Sequence, residues 1–170
     1  MQACETMGGA DNICSDKTGT LTKNRMTVTR MFIKEQTIDK IAKGCVDNKI
    51  AEYISIGSCL NSSANPIIEG DKIEQIGNKT DCALLELSHI FGYDYRAVRK
   101  NNHDNIIQNI PFSSETKTMS TVIQKDNINL VFTKGAPDFL LKNCGFYLDA
   151  AGKAVPITDA FKNTLLSKLK

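Results

Sequence analysis

Little in this chain gives a metal ion or a membrane anything to hold. Its 170 residues contain two histidines and six cysteines, Cys4, Cys14, Cys45, Cys59, Cys82 and Cys144, with no Cys-x-x-Cys pair. A zinc site needs such ligands at short spacing, so none is expected, and thiols this scattered suit a reducing compartment better than a disulfide framework. Long apolar runs are also missing. Leu130-Val131-Phe132 is typical of the longest, far short of the ~20 residues that cross a bilayer as a helix. Met1-Gln2-Ala3-Cys4-Glu5 lacks the basic and apolar regions of a secretion signal. Neither sign of charge dominates: 21 Lys and Arg face 19 Asp and Glu, for a net +2. That argues against nucleic acid or an anionic membrane surface as a partner. There is no internal repeat or low-complexity tract, and the Asn-rich stretch from Lys100 to Asn105 reads as a solvated loop.

What remains is an ordinary globular composition, 41% apolar, in a chain long enough for one compact domain or one plus a small appendage. Asn12-Ile13-Cys14 followed by Ser15-Asp16-Lys17-Thr18-Gly19-Thr20 reads as a strand ending in a functional loop. Met26 to Ile33 has the β-branched alternation of a strand. Asp47 to Leu60 reads as a helix capped by Asp47, with Ile50, Tyr53, Ile54 and Gly57 on one face. Thr80 to Phe91 reads as a second helix, capped by Asn78 or Thr80, with Ala83, Leu84, Leu87, Ile90 and Phe91 on its apolar stripe. Three strands are expected over Ile106–Phe112, Thr118–Lys125 and Ile128–Lys134, the last two joined by a turn at Asp126-Asn127. Pro137 stands where a first helical residue would. A last helix begins near Thr158, with Phe161, Leu165 and Leu169 on one stripe, and reaches Lys170 without a stop signal. Strands and helices in runs rather than strict alternation imply an α+β fold with an antiparallel sheet flanked by helices.

The chemistry concentrates in Asp16-Lys17-Thr18-Gly19-Thr20-Leu21-Thr22. An aspartate at a strand end can act as a carboxylate nucleophile toward a phosphoryl group. Gly19 permits close backbone approach, exposed N–H groups and Thr hydroxyls can hold phosphate oxygens, and Lys17 adds positive charge. A carboxylate also suits Mg²⁺. Thr18 cannot shuttle a proton at neutral pH, so a phosphate carried on Asp16 would persist. Taken alone, Asp-Lys-Thr-Gly is equally an Asx turn.

All seven residues together resemble the phosphorylation signature of the P-type ATPases, and the resemblance continues along the chain. Glu5-Thr6-Met7-Gly8 looks like the approach to the phosphorylation domain. Gly77-Asn78-Lys79-Thr80-Asp81-Cys82-Ala83-Leu84, Pro111-Phe112-Ser113-Ser114 with Lys117-Thr118-Met119-Ser120, and Lys134-Gly135-Ala136-Pro137 resemble segments lining that family's ATP pocket. The wording is most similar to plasma-membrane-type (type IIB) calcium ATPases. The resemblance implies an adenine amino group on Asp81 beside Thr80, a base stacked on Phe112, phosphates near Lys117 and Lys134, and close backbone approach at Gly135. Several type II pumps carry Arg where this chain has Ser114, so the contact with the β-phosphate is expected to be weaker here or to come from elsewhere. Asp16, Lys17 and Thr18 take the catalytic roles, with Asp16 and Thr18 on Mg²⁺ once the other half of the phosphorylation domain is supplied.

The resemblance divides the chain into 1–24, the first strand and loop of a haloacid-dehalogenase-like phosphorylation domain, and 25–170, a nucleotide-binding domain truncated at its C-terminal end. The expected setting is the cytoplasmic side of an integral membrane pump. The expected partners are ATP and the remaining pump domains, with a monomer in isolation, no nucleic acid and no membrane insertion by this chain. Thr-Gly-Asp-Gly-x-Asn-Asp and Thr-Gly-Glu, which such pumps also need, are absent from the sequence. ATP binding without turnover is therefore expected. A soluble haloacid-dehalogenase-type phosphatase is the other reading, but it calls for a second Asp at position 18.

Overall fold

The computed structural model describes residues 8, 9, 11, 12, 14–70 and 72–168. Expectations that rest on Cys4, on Glu5-Thr6-Met7, on Ile13 and on Leu169-Lys170 lie outside them.

Two helices form the centre. Helix α1 spans Asn48–Leu60 and helix α2 spans Lys79–Ile90. Asn78 caps α2, its side-chain oxygen accepting from the Asp81 N–H at 3.2 Å, which satisfies one of the orphan donors of the first turn. Asp47 sits at the start of α1 but makes no side-chain cap bond. Its carboxylate instead takes the Lys34 Nζ at 2.6 Å, so an ion pair has displaced the expected cap. The buried side of α1 is Ala51, Ser55, Ile56, Gly57, Cys59 and Leu60, not the stripe through Ile50 and Tyr53. Small residues at Ala51, Ser55 and Cys59, four apart, lie on one face. Cys59 packs there with Cys82 and Leu85 of α2. On α2 almost every side is buried, Glu86 and Ser88 included, because the helix is enclosed by its neighbours rather than lying on a surface.

Strands β1 (Met31–Ile33) and β2 (Gln36–Ile38) form a short hairpin, so the strand expected over Met26–Ile33 shrinks to its last three residues. Strands β3 (Ile67–Glu69) and β4 (Lys72–Glu74) form another. Helix α3 covers Tyr95–Asn102 and passes into a 3₁₀ turn at His103–Asn105. This overturns the solvated loop read from Lys100 to Asn105. Asp94 caps α3 by accepting from the Arg96 N–H at 3.0 Å. Arg99 then ties the helix down through the carbonyls of Cys59, Ser62 and Ala64 and the Asn65 side chain, at 2.7–3.0 Å.

The main sheet runs β5 (Ile106–Ile110), β6 (Thr118–Lys125) and β7 (Ile128–Gly135), antiparallel in that order. Asp126 and Asn127 both adopt positive φ, 52° and 61°, the two-residue turn whose twist matches a hairpin. Alternation along β6 and β7 pairs Thr121 with Phe132 and Ile123 with Leu130. Ile123, Leu130 and Phe132 pack on Ile56 and Leu60 of α1. The opposite face leaves Ile110 and Val131 exposed. Among the described residues the sheet is therefore covered on one face rather than flanked on both. The chain closes with α4 (Pro137–Asn143), a hairpin of β8 (Phe146–Leu148) and β9 (Ala154–Pro156), and α5 (Asp159–Lys168). Pro137 opens α4 as the sequence predicts, and the Tyr147 and Phe161 rings stack at 3.9 Å.

No helix among the described residues is long and apolar enough to cross a membrane.

Candidate functional site

Where α1, α2 and β7 meet there is a groove of about 390 Å³. Its walls include Tyr53, Gly57 and Asn61 from α1 and its end, Leu84 from α2, and Phe132 and Lys134 from β7. Gly57 matters for a steric reason. A Cβ there would come within 2.6 Å of the Phe132 ring, so glycine lets the aromatic lie against the helix and shape the groove. Leu84, expected in the core, is only half-buried because it lines this opening.

Beside the groove two of the expected residues meet. Asp81 lies in the first turn of α2 and is 5% exposed. Its Oδ1 accepts a hydrogen bond from the Lys134 Nζ, and its Oδ2 accepts from the Ser63 N–H at 3.3 Å. Lys134 alternates along β7 with Leu130 and Phe132, so the strand register aims it inward, and its side chain is 24% exposed. Burying a carboxylate costs several kcal/mol unless a cation and hydrogen bonds meet it, and here both are present.

The remaining expected residues make no hydrogen bond to this pair among the described residues. Phe112, 59% exposed, Ser114 and Lys117 lie on the loop between β5 and β6, all open to solvent. That loop is held by Lys117 N–H to the Ser113 carbonyl at 2.8 Å and Ser113 N–H to the Thr118 carbonyl at 3.2 Å. Lys117 takes a left-handed backbone, φ 54°. Gly135 touches the same loop: a Cβ there would collide with the Lys117 carbonyl and come within 2.9 Å of the Thr118 Cα. Close strand pairing alone therefore demands glycine. Thr80 does not face the groove contacts, its hydroxyl lying 3.9 Å from the Met26 sulfur.

The catalytic candidates form a separate cluster. Residues 14–27 are all exposed. No regular strand precedes Asp16 over Cys14–Ser15. The Asp16 Oδ1 accepts from the Thr18 N–H at 3.3 Å, an Asx turn. Lys17–Leu21 then winds through one wide turn in which Gly19 has φ 83°, and Gly19 N–H donates to the Thr22 hydroxyl at 3.2 Å. No hydrogen bond among the described residues joins this loop to the Asp81–Lys134 pair. Nor do the described residues gather three or more His, Cys, Asp or Glu groups anywhere. Asp16 and Thr18 thus offer Mg²⁺ one carboxylate and do not form a site for it alone.

Sequence reasoning missed Asn61, which is 2% exposed. Its Nδ2 donates to the carbonyls of Met119 and Phe132 at 3.0 and 3.1 Å, fastening the end of α1 to the pair of strands that carries Lys134. An amide just after a helix signals only a cap. Partners 58 and 71 residues away leave no local trace.

Comparison with known families matches residues 49–170 to the P-type ATPase, cytoplasmic domain N. Among similar proteins, "Calcium-transporting ATPase PAT1" of Dictyostelium discoideum is 42% identical over 94% of this chain. "Plasma membrane calcium-transporting ATPase 4" of Homo sapiens is 41% identical over 96% of it, and "Plasma membrane calcium-transporting ATPase 1" of the same species 40% over 91%. The chain spans 13–14% of the length of these relatives. With the small antiparallel α+β architecture, the family match and the identities to calcium-transporting ATPases, this chain belongs to the P-type ATPase cytoplasmic N-domain family.

Proposed function

We propose that this chain recognises ATP for a cation pump, with calcium the transported ion, and that Asp16 is the carboxylate such a pump phosphorylates. The observation that carries the reading is the Asp81–Lys134 pair beside a groove of about 390 Å³, within the size range of small-ligand sites. A carboxylate and an ammonium side by side suit one edge of adenine. The exocyclic amino group donates to Asp81 and a ring nitrogen accepts from Lys134. Phe112 offers its exposed ring to the base, worth about 1–3 kcal/mol on stacking precedents. Lys134, held on Asp81, then serves the base end, and exposed Lys117 remains as a point charge for the phosphates.

Binding has to trade an existing ion pair for contacts with the ligand, in an open groove. Both features lower affinity, and a dissociation constant of roughly 0.1–5 mM follows. In the parent pump the Asp16 carboxylate would attack the γ-phosphorus, the bond to the β,γ-bridging oxygen would break, and ADP would leave. Thr18 cannot act as the base that hydrolyses the resulting acyl phosphate, so that intermediate persists and can drive a conformational change. The same threonine disfavours the soluble phosphatase. Titration of ATP to ~10 mM, followed by amide shifts at Lys134 and Phe112, tests the reading. Saturable shifts at both are expected, and an unchanged spectrum at the upper limit overturns it.

A further inference from the structure

The segment leading from the Asp16 loop is fastened to α2 by side chains that the ATP reading leaves unused. Gln75 grips the backbone of Met26 from both sides, its Nε2 donating to the Met26 carbonyl at 2.6 Å and its Oε1 accepting from the Met26 N–H at 3.2 Å. The amide side chain thereby does what a neighbouring strand would do. Next to it, Arg25 donates to the Glu86 Oε1 at 2.8 Å. Glu86 is buried on α2, and its other oxygen lies 3.4 Å from the Gln75 Nε2. Lys79, at the start of α2, donates to the Gln75 carbonyl at 2.8 Å. A buried carboxylate shared by a guanidinium and an amide is costly to leave without partners, so this cluster has a reason to stay closed.

We infer that Gln75, Arg25 and Glu86 form a joint that fixes the direction in which the Asp16 loop leaves α2. Asp81 and Glu86 lie five residues apart on that one helix, about 7.5 Å along its axis at 1.5 Å per residue. The nucleotide residue and the joint thus move as one body, and the joint sets where the Asp16 segment points relative to bound nucleotide. All three are positioning residues: none touches the groove. The significance for phosphoryl transfer rests on the ATP reading, but the joint itself exists without ligand.

The test therefore begins on the chain without nucleotide. Amide exchange at Met26 is compared in the wild type, Gln75→Leu, Arg25→Gln, Glu86→Gln and the Arg25→Gln/Glu86→Gln double variant. Local opening governs such exchange, so each single change should speed it by about tenfold or more while amides in α1 keep their protection. Because Arg25 and Glu86 act as a pair, the double variant should exchange no faster than its faster parent. Unprotected Met26 in the wild type, no effect of Gln75→Leu, or rates that multiply in the double variant would each overturn the joint. Added ATP should then shift the Met26 resonance in the wild type and not in Gln75→Leu. Equal shifts in both overturn the joint's coupling role, whereas an absence of shifts at Lys134 as well counts against the ATP reading alone and leaves the exchange result standing.

Discussion

At the scale of single residues, the Asp81–Lys134 contact joins the fold to the proposed ATP site, and substitution can test the two separately. Lys134→Met leaves a 5% exposed carboxylate with only the Ser63 N–H across from it. Breaking a fully buried pair costs about 3–5 kcal/mol, and Lys134 is partly exposed, so a loss near 2 kcal/mol is expected on denaturation. Adding Asp81→Asn should restore most of that loss while ATP affinity stays absent in both. A Lys134→Met protein as stable as the wild type would make the contact an ordinary surface pair. A second residue sets a pH limit. Burial pushes the Cys59 thiol from 9.0 to about 11, with the Ser88 hydroxyl and Arg99 opposing weakly. The unfolded chain then releases this proton first. Stability is complete below pH ~9 and falls between 9 and about 11, by up to about 1.4 kcal/mol per pH unit. Denaturation at pH 8, 9.5 and 10.5 should show that slope, and Cys59→Ala should reduce it, leaving the contribution of Cys82, whose thiol burial also raises. Asp16, Lys134 and Gly135 were legible as candidates only, because short motifs single them out. The reason Gly135 must be glycine was not, since it depends on a Lys117 carbonyl that only strand pairing brings near.

Elements were legible where their signal is local and hidden where it is borrowed. Strands β5 to β7 announce themselves by β-branched alternation and by an Asp-Asn turn that accepts positive φ. Helix α3 does not, and its last residues fall in the Asn-rich stretch from Lys100 that reads as a solvated loop. Its stability comes from Asp94 at one end and from Arg99 reaching the Cys59 carbonyl of α1 and three groups in the α1–β3 connection. Helix α1 was placed correctly but rotated, since the face chosen by large apolar residues is the groove side and the face that packs on α2 uses small ones. Gly57 shows how close the packing is. Alanine at this helical position gains about 1 kcal/mol of intrinsic preference over glycine. Its Cβ would stand 2.6 Å from the Phe132 ring, and overpacking of that kind costs about 1–3 kcal/mol. Gly57→Ala is expected to be neutral to destabilising, with a weakened response of Phe132 to ATP as its ring leaves the groove wall. A clear gain in stability with ATP binding intact would mean that the ring has room to move.

On the scale of the whole molecule, surface area sets the terms. The chain exposes 11959 Å² at 18.7 kDa, whereas a compact monomer of that mass exposes roughly 8,300 Å². Residues 14–27 are exposed throughout, and one face of the main sheet leaves Ile110 and Val131 uncovered. The sequence conveyed the α+β class, because class depends on the order of helical and strand periods. It did not convey that the sheet would be covered on one face only, since alternation looks the same whether the second face meets water or protein. The lack of any hydrogen bond between the Asp16 loop and the Asp81–Lys134 pair among the described residues is likewise a property of the whole chain, and it leads to a sharp expectation. Phosphoryl transfer needs charge stabilisation around the γ-phosphate, and no described residue outside the loop hydrogen-bonds to Asp16. Asp16→Asn should therefore leave the dissociation constant for ATP within about twofold of the wild type, a difference below ~0.5 kcal/mol. Neither protein should form an acid-stable, hydroxylamine-sensitive phosphoenzyme from γ-labelled ATP. A phosphoenzyme present in the wild type and lost in Asp16→Asn would place the loop over the groove in solution. So would a change of tenfold or more in affinity, because a carboxylate that makes no contact with the ligand has no means of producing one.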